Sequence, residues 1–116
     1  YSAVEIGNSL NRALANSNSI VIASSDMTHY ESAKSASAKD EAALKSVIDM
    51  DAKTFYEIIE AQNVTACGFG PIAALMTYAK CVNSKAELLS YHNSGEISGN
   101  LSAVVGYAAV SFKKYL

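Results

Sequence analysis

The chain has 116 residues, half of them hydrophobic, with a formal net charge of −2 and a pI of about 5.6. That is the size of one ordinary domain, or of part of a larger one. Its nine basic residues are scattered, which excludes the clustered positive surface of a nucleic-acid binder, and no apolar run approaches the roughly 18 residues of a membrane span.

No basic-then-apolar leader is visible, so no secretory signal is expected. Cys67 and Cys81 are too few for a disulfide framework. A helix of about ten residues between them would hold their ends about 15 Å apart, against the roughly 7 Å that a disulfide spans. Two unpaired thiols fit a reducing, cytoplasmic compartment.

In chain order, Ala3 to Ala15 places Ile6, Leu10, Ala13 and Leu14 on one helical face, and Asn16-Ser17-Asn18-Ser19 ends the helix. Ile20 to Ala23 is a short β-branched run, the pattern of a strand covered on both faces. Ser24 to Ser37 reads as a polar loop. Lys39-Asp40-Glu41 opens a second helix with Ala43, Leu44, Val47 and Ile48 inward. Asp51 caps a third helix carrying Phe55, Ile58 and Ile59. After a loop at Asn63 to Gly70, Pro71 starts a fourth, with Ile72, Leu75, Met76 and Ala79 as its stripe. Ala86 to Tyr91 reads as a strand, NSGEISGN (Asn93 to Asn100) as a turn or loop, and Val104 to Phe112 as a buried strand. The order predicts an α/β fold, with helices packed on a central mixed sheet. So few strands, and such apolar ones, predict that further strands come from elsewhere.

Three stretches hold groups able to do chemistry. In SSDMTHY, Asp26 and His29 follow the expected end of the first strand, where open α/β sheets bind ligands. Histidine carries protons near neutral pH, and a nearby carboxylate orients it. The bland alternative is an Asx-turn by Asp26 with His29 merely exposed. A Ser-His-Asp hydrolase lacks support, since no Gly-x-Ser-x-Gly elbow occurs. In TACGFGPIAALM, Cys67 precedes a helix start, a setting that favours thiolate. Gly68 and Gly70 permit close backbone approach, and the alternative is a small buried thiol beside a turn. In HNSGEISG, Asn93, Ser94, Glu96 and Ser98 stand where they could line a pocket, or simply connect two strands, and His92 fits the second reading better. Neither H-x-x-x-H nor C-x-x-C occurs, so no local pattern encodes a complete metal site.

Taken together, SSDMTHY, Phe55-Tyr56, ACGFGPI, AELLSYHNSGEISG and VVGYAA resemble the Memo-like family, in its order and over nearly the whole chain, in the form of its archaeal and bacterial branch. The resemblance implies an α/β fold similar to class III extradiol dioxygenases, which use non-haem iron. It implies Cys67 as a metal ligand, His29 as the catalytic acid/base and Asp26 as its acidic companion. Ser25, Gly68, Ser94 and Glu96 are expected on the substrate side. Iron or copper is the implied metal. Its remaining ligands would come from an N-terminal half outside this chain, leaving residues 1–116 as the C-terminal part of one larger domain. Two functions follow: a metal-dependent redox enzyme with a small-molecule substrate, or a non-catalytic binding or scaffold protein holding a peptide or small anion in the same pocket. Expected partners are that missing half and a second copy in a homo-oligomer, with no nucleic acid and no membrane. Asp26, His29 and Cys67 are expected to converge on one cleft.

Overall fold

The computed structural model describes residues 2–114. Five helices pack on a three-stranded sheet, an α/β fold as expected. The order is α1 (Ser2–Ala13), β1 (His29–Glu31), α2 (Ala33–Ile48), α3 (Ala52–Ala61), α4 (Phe69–Cys81), β2 (Ser84–Asn93), α5 (Gly95–Ser98) and β3 (Val104–Lys114). β3 is the middle strand, with β1 on one side and β2 on the other, both antiparallel to it. A mixed sheet was expected; every pairing among the described residues is antiparallel. No helix of the described residues is long and apolar enough to cross a membrane.

The helix ends follow their side chains. Asp51 accepts from the Thr54 N–H, the cap expected of it. Helix α2 starts six residues earlier than the acidic cluster indicated. Ser32 caps it, accepting from the Ser35 N–H, and small residues from Ala33 onward continue into the helix. Just beyond α2, α3 and α4, the chain turns through positive φ at Met50, Asn63 and Asn83. This is the left-handed stop that asparagine tolerates. NSGEISGN holds the single turn α5, ended by Gly99 at φ 80°.

Alternation along β3 sets the core. Val104, Gly106, Ala108, Val110 and Phe112 face the helices, while Tyr107 and Ala109 are exposed on the other side. The core joins Ala43, Leu44 and Val47 of α2, Phe55 and Ile59 of α3, and Ala73 and Met76 of α4. Helix α1 docks on α4 through Ala3 and Gly7 rather than through the larger face expected; Ile6 is 54% exposed. A small residue wins here because α1 crosses α4 closely. A Cβ on Gly7 would lie 2.5 Å from the Thr77 Cβ and 2.6 Å from the Ala74 oxygen.

The largest departure is the first strand. Residues 17–27 carry no regular secondary structure, and the strand lies instead at His29–Glu31. Ile20 and Ile22 are 85% and 79% exposed. A strand covered on both faces needs neighbours, and no described residue pairs with Ile20 to Ala23. The expected buried strand at 104–112 is likewise covered on one face only.

Replacing Gly7 by Ala should force α1 away from α4 and cost about 1–3 kcal/mol, the usual range for overpacking. Urea denaturation followed by helical circular dichroism measures it; an unchanged midpoint would mean that the crossing relaxes freely.

Candidate functional site

Three segments meet beside the edge strand β1. Met27 N–H donates to the Gly106 oxygen and Gly106 N–H to the Thr28 oxygen, each at 2.9 Å, which stitches the start of β1 to β3. Tyr30 is the residue of irregular register between His29 and Glu31, at φ 59° with its ring exposed. Such a φ is costly for a bulky side chain and is held only by strong surroundings. The loop before α4 then reaches His29. Thr65 Oγ1 accepts from the His29 N–H at 2.7 Å, and the Thr65 carbonyl lies 2.7 Å from Nδ1.

That second contact decides the ring's chemistry. A carbonyl only accepts, so Nδ1 carries the hydrogen, and in the neutral ring Nε2 presents a lone pair. Nε2 faces Asp26, whose Oδ2 is 3.6 Å away. The Cys67 sulfur completes the group: one ligand atom each from Asp26, His29 and Cys67 lie within 4.8 Å of one another. The expected convergence is therefore present. His29 is 23% exposed and Asp26 48%, and Cys67 is exposed, so the cluster opens to solvent.

Ser25 and Gly68 hold Cys67 there. The Gly68 N–H donates to Ser25 Oγ at 2.8 Å, Ser25 Oγ donates to the Asp26 oxygen at 2.6 Å, and it lies 3.8 Å from the Cys67 sulfur. A Cβ on Gly68 would sit 2.5 Å from the Ser24 oxygen and 2.7 Å from the Ser25 Cβ. The close approach expected at this glycine is thus made to the chain's own segment. Gly70 has open space around its Cα. Phe69 packs edge-on against Tyr56 with ring centroids 5.7 Å apart, tying this loop to α3.

Ser94 and Glu96 belong to a different group. Ser94 Oγ accepts from the Val105 N–H at 3.0 Å, while Glu96 accepts from the Asn93 N–H at 2.6 Å and pairs with His92 at 3.0 Å. The His92 contact, and then the Asn93 N–H, hold the Glu96 carboxyl below its ordinary range. Across the sheet, His29 opposes Val105 on one side of β3 and Asn93 opposes Gly106 on the other. The two groups are thus separated by the width of β3. Cys81 lies at the end of α4, its sulfur 3.4 Å from Asn8 Oδ1.

The arrangement is not a hydrolase triad. There the carboxylate holds Nδ1 and the nucleophile faces Nε2, whereas here a backbone carbonyl holds Nδ1 and the carboxylate lies on the Nε2 side. With a neutral ring, a lone pair, a carboxylate and a sulfur converge on one space. Three electron-pair donors facing each other are stabilised by a proton or a cation between them. Bonds of about 2.0–2.3 Å to one ion would bring tetrahedral ligands to roughly 3.5 Å apart, a modest contraction of this cluster. An Nδ1–H held by a backbone carbonyl is also the usual support for a metal-binding Nε2. Thr65 was not foreseen as part of the site, because its decisive atom is a main-chain oxygen that no side-chain pattern marks.

The fold and cluster define an α/β protein with a His–Cys–Asp group at the edge of its sheet. The model of Memo-like proteins matches residues 1–111, and the chain belongs to the Memo-like family. It is 40% identical over 111 residues to a MEMO1 family protein of Nitrosopumilus maritimus, covering 95% of this chain and 40% of that one. It is 43% identical over 110 residues to one of Methanocaldococcus jannaschii, covering 94% of this chain and 37% of the relative. A Thermoplasma acidophilum member is 47% identical over 91 residues, 78% of this chain and 34% of its own length. The chain thus spans about two fifths of the length of these curated relatives.

Gly68→Ala should push Ser24 and Ser25 away from the loop and loosen Cys67, with a loss of about 1–3 kcal/mol. In a Cys81→Ser background, the rate of Cys67 modification by a thiol reagent should change several-fold. An unaltered rate and melting point would show that the glycine is not what holds the two segments together.

Proposed function

We propose that this chain supplies one wall of a metal-dependent redox pocket, of the kind found in relatives of class III extradiol dioxygenases. The observation that carries this reading is the convergence of His29 Nε2, the Asp26 carboxylate and the Cys67 sulfur within 4.8 Å, with Nδ1–H tied to the Thr65 carbonyl. Iron or copper bound there would supply electron transfer with a small-molecule substrate. The chain's own residues do the rest. Cys67 offers its sulfur, a soft ligand that favours copper over harder ions. His29 Nε2 gives its lone pair to a bound metal or, in the metal-free pocket, takes or returns a proton, with the Asp26 carboxylate 3.6 Å away. Ser25 and Gly68 keep the sulfur beside them. Ser94 and Glu96, across β3, are engaged with Val105, Asn93 and His92 and take no part in this reading.

The other part of the reading is that residues 1–116 are the C-terminal part of one larger Memo-like domain, whose remainder completes the sheet and the metal ligands. Its support is the exposure of three isoleucines, Ile6, Ile20 and Ile22. Ile6 and Ile22 line one open cavity of about 380 Å³ with Leu10, Val21 and Tyr56 among others. Burying a fully exposed isoleucine against a partner contributes about 1.5–3 kcal/mol, before the cost of association.

Two experiments test these statements. After anaerobic loading with iron(II) or copper(I), Cys67→Ala should bind the metal at least about 10-fold more weakly than the unaltered chain; equal affinity would remove Cys67 from the ligand set. Metal retained with no oxygen consumption across a substrate screen would instead favour a binding pocket for a peptide or small anion. For the larger domain, Ile20→Lys with Ile22→Lys should leave the chain's own stability within about 0.5 kcal/mol, as for other surface changes. It should also abolish capture of the separately expressed remainder of the Methanocaldococcus jannaschii relative. Capture equal to that of the unaltered chain would place the docking surface elsewhere.

A further inference from the structure

The most deeply buried carboxylate of the described residues lies outside the cluster. Asp40, in the middle of α2, is fully buried. Its Oδ1 accepts both the Thr28 N–H at 3.0 Å and the Thr28 hydroxyl at 2.6 Å, and its Oδ2 accepts the Tyr91 hydroxyl at 2.5 Å. A carboxyl group in such a place is tolerated only when its oxygens are bonded, and both are. Gly106 leaves the room. A Cβ there would overlap Asp40 Oδ2 and lie 2.6 Å from the Tyr91 hydroxyl. Burial, and then the bond to Asp40, push the Tyr91 hydroxyl far above its ordinary range, so it stays a donor.

The residue so gripped stands between Asp26 and His29. Thr28 is also fully buried. Its N–H and hydroxyl go to α2, while its carbonyl accepts from Gly106 of β3. A helix, both longer strands and the entry to β1 therefore meet around the Asp40 carboxylate, and Thr28, bonded to it, immediately precedes the histidine. Nothing local explains so costly a device, since a strand of three residues needs no buried carboxylate to pair with β3.

We infer that Asp40 and Tyr91 are positioning residues that set His29, through Thr28, with Nδ1 on the Thr65 carbonyl and Nε2 towards Asp26 and Cys67. This rests on the reading of that cluster as the working site, but it concerns the placing of the ring and can be tested apart from any metal.

The test reads the ring-nitrogen chemical shifts of His29 at neutral pH, which report whether Nδ1 or Nε2 carries the hydrogen. The variants are Tyr91→Phe, Asp40→Asn and Thr28→Val, with Thr28→Ser as the conservative rescue. Ile59→Val, in the core on α3, serves as a control that loses stability without touching the pin. The unaltered chain, Thr28→Ser and Ile59→Val should keep the Nδ1–H form. Tyr91→Phe and Thr28→Val should give a mixture of the two forms and an affinity for cobalt(II) lower by about 10-fold, as for other supporting partners of a metal-binding histidine. If Tyr91→Phe and Thr28→Val melt earlier yet keep the Nδ1–H form, the pin is structural only and the inference falls. Should Asp40→Asn fail to fold, those two variants decide alone. A chain that binds no cobalt(II) at all sinks the metal reading of the site, while the nitrogen shifts still judge the pin.

Discussion

The site depends on one close approach, that of the Ser24–Ser25 backbone to Gly68. Residues more than 40 positions apart meet there without room for a Cβ. A single hydroxyl, that of Ser25, bonds to both sides of the junction. It holds the loop before α4 against the start of β1, alongside the two bonds that His29 makes to Thr65. Both groups that define the cluster, the thiol and the oriented imidazole, arrive through that junction. It is made of small residues because only small residues let two backbones come within hydrogen-bond distance of each other's side-chain oxygens.

The core explains why the cluster sits where it does. The helices cover the face of β3 that carries Val104, Gly106 and Ala108, and the aromatic contact of Tyr56 with Phe69 extends that packing to the loop before α4. On the other side of the cluster the chain runs out through residues 17–26, without regular secondary structure and, at Ile20 to Ala23, without backbone bonds to the described strands. The cluster is thus at the boundary between a packed half, which fixes its atoms, and an apolar surface still open to solvent. Ile20 and Ile22 place two large apolar side chains in solvent at this boundary.

Much of this was readable from residue order, and the failures have physical causes. Helices α1, α3 and α4 follow from apolar spacing and from Asp51, because those signals are local. The start of α2 at Ser32 was missed because a run of Ser, Ala and Lys has no apolar stripe; only the serine cap and the small buried face through Ala36, Asp40 and Ala43 define it. The strand at Ile20–Ala23 failed for the opposite reason. Its composition is that of a buried strand, but a strand is a relation between segments, and the described chain offers it no partner. The cluster of Asp26, His29 and Cys67 could be named from chemistry and family pattern, yet its orienting atom, the Thr65 carbonyl, could not. Asp40 looked like a helix-opening acid and proved to be a buried acceptor eight residues into the helix.

That last reversal bears on how such a site is built. A carboxylate at a helix start costs little, because solvent and the helix dipole support it. The same carboxylate in mid-helix, fully buried, requires three donors and a glycine opposite to be tolerated. The donors come from Thr28 and Tyr91, and the glycine is Gly106, so each lies in one of the stretches, SSDMTHY, AELLSYHNSGEISG and VVGYAA, that carry the family resemblance. Their co-occurrence is then not three separate signatures. It is one constraint, in which the histidine stretch, the long hairpin strand and the central strand must each leave a particular group at the same buried carboxylate.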